Sequence, residues 1–290
     1  MNNVLKVSNL TKTYPNFKLV DVSFEIKPGS IMGFIGRNGS GKTTTLKSIM
    51  NLIHYDSGDI TAFDKEMKDY ELENKQRIGF SLSEIHYYPN KTIKQLSEVT
   101  SKFYRNFDMN KFKELCKFFG LDTSKKIEQL SSGMKVKYSL AIALCHNAEL
   151  LILDEPTSGL DPVSRDEILD IFKQIVKSGD KAILFSTHIT SDLDNCASDI
   201  TYIHDGKIIY TGKKDSFINS YFYIKDNSKS ADLEKYFVSF KINDNYHEGI
   251  ISSSDVSHFE NNDNIIIKTP DLEQIMVFLE RKNNNESFTL

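Results

Sequence analysis

The stretch GRNGSGKTT at residues 36–44 limits the possible folds of this chain more than any other segment. It follows an apolar run, Ile31 to Ile35, and opens a pattern expected to be helical from Lys42 to Met50. A buried strand, a glycine-rich turn and a helix N-terminus in that order make a cradle for phosphate. Gly36, Gly39 and Gly41 let the backbone wrap closely, so that successive N–H groups along Arg37, Asn38, Ser40 and Thr44 can face an anion. Lys42 adds a full positive charge for the β- and γ-phosphates of a nucleotide. The Thr43 hydroxyl suits Mg2+, which prefers oxygen ligands. A chance match to such a motif in a chain of this length is on the order of one in a hundred. The alternative, a plain surface turn, does not account for the strand before it and the helix after it.

A second group of residues points to the same chemistry. Asp154 ends the apolar strand of LLILDEP, where ligands gather in open α/β sheets. It is expected to hold the Mg2+ shell, and Glu155 beside it can polarise an attacking water as general base. Two charged residues at an ordinary strand end would not need four apolar residues ahead of them.

The rest of the chain alternates strands and helices. Val4 to Val7, Val22 to Ile26, Gly58 to Thr61 and Arg77 to Ser81 read as strands, as do Ala182 to Ser186 and a hairpin at 200–210 turned by Asp205-Gly206. Asp161-Pro162 offers a helix cap, followed by Ile168, Ile171, Phe172 and Ile175 at helical spacing. This pattern implies an α/β core with a parallel sheet. A Lys- and aromatic-rich segment at about 85–130 reads as a helical insertion, with helices expected at 92–104 and 110–119. Beyond about Gly212 the composition shifts toward Asn, Ser, Asp and Lys. There a small α+β piece is expected, with strands at 221–224 and 265–267, a terminal helix carrying Leu272, Ile275, Met276 and Leu279, and a disordered tail from Asn283.

Composition excludes other classes. The 290 residues can bury a sizeable core, 26% charged residues is ordinary for a globular chain, and the net charge of -4 argues against a generally nucleic-acid-binding surface. The start, MNNVLKVSNLTKTY, lacks the apolar core of a secretory signal, and no apolar run approaches the ~20 residues of a spanning helix. Three widely separated cysteines, Cys116, Cys145 and Cys196, indicate neither a disulfide framework nor a zinc site.

The motifs together resemble the nucleotide-binding subunit of an ATP-binding cassette (ABC) transporter, from Leu5 to about Gly212. The resemblance implies a P-loop NTPase (RecA-like) core at 1–212 with a helical insertion subdomain, and a C-terminal accessory domain at 213–290. It puts Tyr14 where an aromatic residue stacks on adenine and LSSGM at 130–134 in the signature position, whose commonest form is LSGGQ. There Ser131 and Gly133 meet nucleotide held by a second subunit. Ser158 to Asp161 match the D-loop, and His188 in FSTHI matches the switch histidine. One position departs from the family: the usual glutamine after the strand at 77–81 aligns with Ser83, which is too short to replace it directly, and a shift of one or two residues would bring Ser81 or Glu84 there instead. Taken alone, LSSGM is a helix cap, His188 a polar core residue and Tyr14 a core or surface tyrosine.

The implied partners are a second ATPase subunit, identical or paralogous, and a separate integral membrane subunit. Ile85, Tyr87, Tyr88, Ile93 and Leu96 are expected either to receive that membrane subunit or to form the core of the insertion. The implied cofactors are ATP and Mg2+, and the implied location is the cytoplasmic face of the cell membrane. Within the family the resemblance is to single-cassette bacterial exporters of the bacitracin-resistance and phenol-soluble-modulin kind. The competing class is a non-transport ATPase of the same superfamily, such as a translation or DNA-maintenance factor.

Overall fold

The computed structural model describes residues 3–82, 88–228, 231–243, 245–260 and 262–283. The chain divides into two compact units, Met1–Thr211 and Gly212–Leu290.

The first unit contains two sheets. β1 (Leu5–Tyr14), β2 (Phe17–Ile26), β4 (Ser57–Ala62) and β5 (Lys65–Glu66) form an antiparallel sheet in the order β2-β1-β4-β5. The apolar pattern marks short strands here but does not separate them from the parallel sheet. They alternate buried with half-buried or exposed residues, as expected of a sheet with only one face in the core. The second sheet has the order β10-β9-β3-β8-β7-β6, from β3 (Ile31–Ile35), β6 (Ile78–Ser81), β7 (Leu150–Asp154), β8 (Ala182–Thr187), β9 (Asp199–His204) and β10 (Lys207–Lys213). β6, β7, β8, β3 and β9 run parallel. Every residue of β3, β7 and β8 is buried, because both faces of the sheet are covered. The β9–β10 turn is Asp205-Gly206, both at positive φ (44° and 75°), the mirror-image geometry a two-residue hairpin requires.

Helices α1 (Lys42–Ile49), α2 (Glu71–Gln76), α3 (Ile93–Thr100), α4 (Met109–Phe118), α5 (Ser132–Cys145), α6 (Pro162–Val176) and α7 (Thr190–Cys196) complete the unit. The helix expected at 92–104 is shorter. It starts from a capping box between Thr92 and Gln95 and tightens into a 3-10 turn at Ser101–Phe103. α4 begins one residue earlier than expected because the Asp108 carboxylate caps the N–H groups of Asn110 and Lys111. α2, of six residues, is too short to show a readable helical periodicity in the sequence.

The second unit is a four-stranded antiparallel sheet in the order β12-β13-β11-β14, from β11 (Tyr221–Asp226), β12 (Phe237–Ile242), β13 (His247–Ser252) and β14 (Ile265–Lys268). Strand order and connections follow the split β-α-β-β-α-β scheme, with the connecting helices cut to one turn at Ala231–Glu234 and a 3-10 segment at Ser253–His258. Phe222, Ile224, Phe237, Ile251 and Ile267 meet Leu233, Val256 and Phe259 on one face. Tyr223, on the other, meets Phe278 of the terminal helix, Leu272–Asn283. The expected tail beyond that helix lies outside the described residues.

Candidate functional site

Parallel register brings the chemical residues to one end of the sheet. Ile35 lies beside Thr187 and Asp154 beside Ser186. The phosphate loop at the end of β3, the acidic pair at the end of β7 and His188 after β8 therefore converge, as chain termini of adjacent parallel strands must.

The loop is tightly built. A Cβ on Gly36 would come within 2.3 Å of the Ile203 carbonyl oxygen and 2.6 Å of Ser40 Oγ. Gly41 has φ 112°, and a Cβ there would lie 2.5 Å from Leu19 and 2.8 Å from Phe17. Neither position accepts a side chain without moving its neighbours. Arg37, Asn38 and Gly39 are exposed, while Thr43 and Thr44 are half-buried. The Gly206 N–H donates to the Ser40 carbonyl at 2.9 Å, tying the loop to the β9–β10 hairpin. The Ser40 hydroxyl is buried and has no hydrogen-bond partner among the described residues, so it is available to an oxygen-rich ligand.

Lys42, only 5% exposed, donates to the carbonyls of Gly36 at 2.7 Å and Arg37 at 3.2 Å and pairs with Glu155 Oε1 at 3.2 Å. The other carboxylate oxygen, Oε2, lies 2.8 Å from His188 Nδ1. Glu155 itself has φ 50°, a left-handed backbone rarely adopted by a non-glycine residue. Its N–H is held there by Ser186 Oγ at 2.9 Å. The same Ser186 hydroxyl donates to Asp154 Oδ1 at 2.6 Å, and Thr43 donates to Asp154 at 2.9 and 3.1 Å. One hydroxyl thus orients both acidic residues. Ser186 was missed from sequence, although it stands two residues before His188 in FSTHI.

Thr43 and Asp154 present an all-oxygen donor set, which fits Mg2+. That ion takes few protein ligands and keeps waters and phosphate oxygens for the rest. Among the described residues no group of three or more His, Cys, Asp or Glu side chains is arranged to hold a metal by itself.

Tyr14 is 40% exposed at the end of β1, register partner of Phe17, whose ring lies against Gly41; Lys12 Nζ lies 5.2 Å from the Tyr14 ring centroid. An aromatic face is therefore offered near the loop. Ser131 caps α5, its Oγ accepting the Met134 N–H at 3.3 Å, and it is exposed at that helix N-terminus. Gly133, in the first turn, lies near Leu160 and Ser164 of the same chain. Asp161 caps α6 by accepting the N–H groups of Val163 and Ser164. Its bonds with Ser164 hold its carboxyl below the usual range. Ser131 and Asp161 thus make their hydrogen bonds at their own helix ends, whereas Lys42, Thr43, Asp154, Glu155 and His188 make one cluster.

Ser83 lies outside the described residues, as do Ile85 and Tyr87. Of the other insertion residues, Tyr88 is exposed, but Ile93 and Leu96 are buried in the interior of the unit. Among the described residues no helix is long and apolar enough to cross a membrane.

A family model described as ABC transporter matches residues 19–158. The bacitracin transport ATP-binding protein BcrA of Bacillus licheniformis is 35% identical over 212 residues, which is 72% of this chain and 69% of that protein. The linearmycin resistance ATP-binding protein LnrL of Bacillus subtilis (strain 168) is 34% identical over 217 residues, 73% of this chain and 70% of that protein. Among solved structures, an ATP-binding subunit of an ABC transporter superposes with a TM-score of 0.66 at 26% identity, covering 73% of this chain and 91% of the other. The chain belongs to the ABC transporter family, as one of its ATP-binding, ATP-hydrolysing subunits.

Proposed function

We propose that this subunit powers export through a separate membrane subunit, closing on a second ATPase subunit when ATP binds and opening after hydrolysis. The observation that carries the reading is the position of Glu155, held between Lys42 at 3.2 Å and His188 at 2.8 Å at the mouth of the phosphate loop. Residues 1–212 act as the nucleotide-binding domain, with the insertion at 85–130 facing the membrane partner, and 213–290 as an accessory domain. The partner confers the location, the cytoplasmic face of the membrane.

In this reading the backbone of residues 36–41 and the buried Ser40 hydroxyl receive the phosphates, and Tyr14 stacks on adenine. Lys42 exchanges its bonds to Gly36, Arg37 and Glu155 for bonds to the β- and γ-phosphates. Thr43 and Asp154 would hold Mg2+, which when bound neutralises charge on the phosphate oxygens. Glu155 accepts a proton from water as that water's oxygen bonds to the γ-phosphorus; the bond from phosphorus to the bridging oxygen breaks, leaving ADP and inorganic phosphate. His188 orients Glu155 and, as the new phosphorus–oxygen bond forms, reaches the γ-phosphate or the attacking water. Ser131 and Gly133 reach ATP on the partner, at a helix N-terminus suited to an anion. Two such sites arise from a two-fold axis.

Switching such a pair from 1:99 to 99:1 requires about 5.5 kcal/mol of preference for the closed form. Charge-assisted bonds to two γ-phosphates are of a size to provide it. The relatives named for bacitracin transport and linearmycin resistance support an exporter, and a hydrophobic or amphipathic peptide is the favoured cargo.

The test is the mass of purified Glu155→Gln protein by light scattering, with and without ATP-Mg2+. A doubled mass with ATP is expected; a monomer under both conditions overturns the composite site. Co-purification from detergent separates the transport role from a soluble one. A several-span membrane protein is the expected companion, and a ribosome-bound ATPase lacking one overturns export.

A further inference from the structure

Asp192, in α7, is wholly buried and belongs to none of the motifs discussed above. Its Oδ2 accepts the hydroxyls of Thr157 at 2.6 Å and Thr187 at 3.3 Å. Its Oδ1 lies 3.3 Å from Arg165 Nε, as an ion pair rather than an aligned hydrogen bond. The partners come from three segments: the turn after β7, the end of β8, and α6. Thr157 and Thr187 are also fully buried.

What these segments carry gives the cluster its meaning. Thr157 stands two residues beyond Glu155, and Thr187 immediately precedes His188. The Thr187 hydroxyl also accepts the Ile189 N–H at 2.9 Å, so it grips the backbone on both sides of His188. On the β7 side, the Glu155 carbonyl accepts the Ser158 N–H at 3.2 Å and the Thr157 carbonyl accepts the Leu160 N–H at 3.3 Å. One carboxylate therefore joins the backs of two turns whose front side chains, Glu155 and His188, meet at 2.8 Å. Arg165 follows the Ser158 to Asp161 loop and its backbone N–H donates to the Asp161 carbonyl, so Asp192 reaches the loop through Thr157 before it and Arg165 after it.

Burying a carboxylate with an arginine is a poor way to gain stability, since apolar side chains fill such a space at least as well. Such an ion pair is better explained by the geometry it fixes. We propose that Asp192 is a positioning residue for hydrolysis. It sets the approach of Glu155 to His188 and the shape of the Ser158 to Asp161 loop without touching ATP. The proposal rests on the reading of Glu155 and His188 given above.

Thr157→Val tests it while leaving the Asp192–Arg165 pair intact, so that the buried carboxylate keeps its counter-charge and the Thr187 hydroxyl. For the full-length chain, with its membrane partner where turnover requires it, kcat is expected to fall about ten-fold or more while KM for ATP stays within about two-fold, since small misplacements of reacting groups are costly. Thr157→Ser, which keeps the hydroxyl, is expected to restore kcat. In a His188→Ala background, Thr157→Val is expected to add less than about a two-fold loss, because both act through one contact. Asp192→Asn serves as a second variant and is expected to lower kcat in the same way. Wild-type kcat in Thr157→Val, or no recovery in Thr157→Ser, overturns the positioning role. ATPase activity that survives Glu155→Gln, made as the single change, overturns the reading of the site instead, and this role with it.

Discussion

His188 Nδ1 and Glu155 Oε2 lie 2.8 Å apart, while the other oxygen of Glu155 lies 3.2 Å from Lys42 Nζ. A carboxylate held between a lysine and a histidine is oriented by both, and each partner can be removed separately. His188→Ala should leave ATP affinity nearly unchanged and lower kcat by about ten- to hundred-fold, as expected when a general base loses its orienting partner. Steady-state ATPase kinetics beside equilibrium nucleotide binding check this.

Lys42→Ala should act the other way. It removes the charge that meets the phosphates, so ATP affinity is expected to fall by about ten-fold or more, since charge-assisted bonds are the strong ones. Wild-type affinity in this variant, measured by calorimetry, would contradict the proposed phosphate site.

How far the sequence carries can be judged residue by residue. Gly36 to Thr44 and Asp154-Glu155 are legible because their chemistry is written in consecutive residues beside apolar strands. Ser186 and Asp192 are not. Ser186 reaches Asp154 across 32 positions and Asp192 reaches Thr157 across 35, and only the pairing of β7 with β8 brings them together. In the second unit, β12 and β13 escaped notice because polar residues and a glycine interrupt their apolar pattern. Ile93 and Leu96 read equally well as docking or core residues, and burial makes them core.

A stability prediction follows from His146. Burial pushes its pKa down to about 4, against a smaller opposing effect of its bond to the Gln76 carbonyl. Its ring also stacks on Tyr104, 3.8 Å between centroids. The unfolded chain then binds the additional proton between about pH 6.5 and 4, so stability is complete above that window and falls as pH drops through it. The loss by pH 4 is on the order of 3 kcal/mol. His146→Phe should flatten this part of the denaturation-midpoint profile; an unchanged profile would assign the acid sensitivity elsewhere.

The cysteines give a simple check on the fold. Burial raises the Cys116 thiol to about 11 and Cys145 to about 12, while Cys196 is half-buried. Thiolates are the reactive form, so Cys196 should react first with a thiol reagent at neutral pH, and all three should react in denaturant. Mass spectrometry of the labelled peptides reads the order.

The central claim is that Ser131 and Gly133 serve ATP bound by another chain. A Cβ on Gly133 would meet its nearest neighbours, Leu160 and Ser164, at 3.7 Å, which is ordinary contact. An acidic side chain in the first turn of α5 also favours the helix. Gly133→Asp should therefore fold, yet repel the γ-phosphate of the partner's ATP. Mixing it with Glu155→Gln protein is the most direct test. Each variant alone should be inactive, while a mixed pair should have one doubly impaired site and one intact site. Recovery of ATPase activity on mixing, highest near equal amounts, is the predicted result. Two folded, ATP-binding variants that stay inactive at every ratio would contradict it.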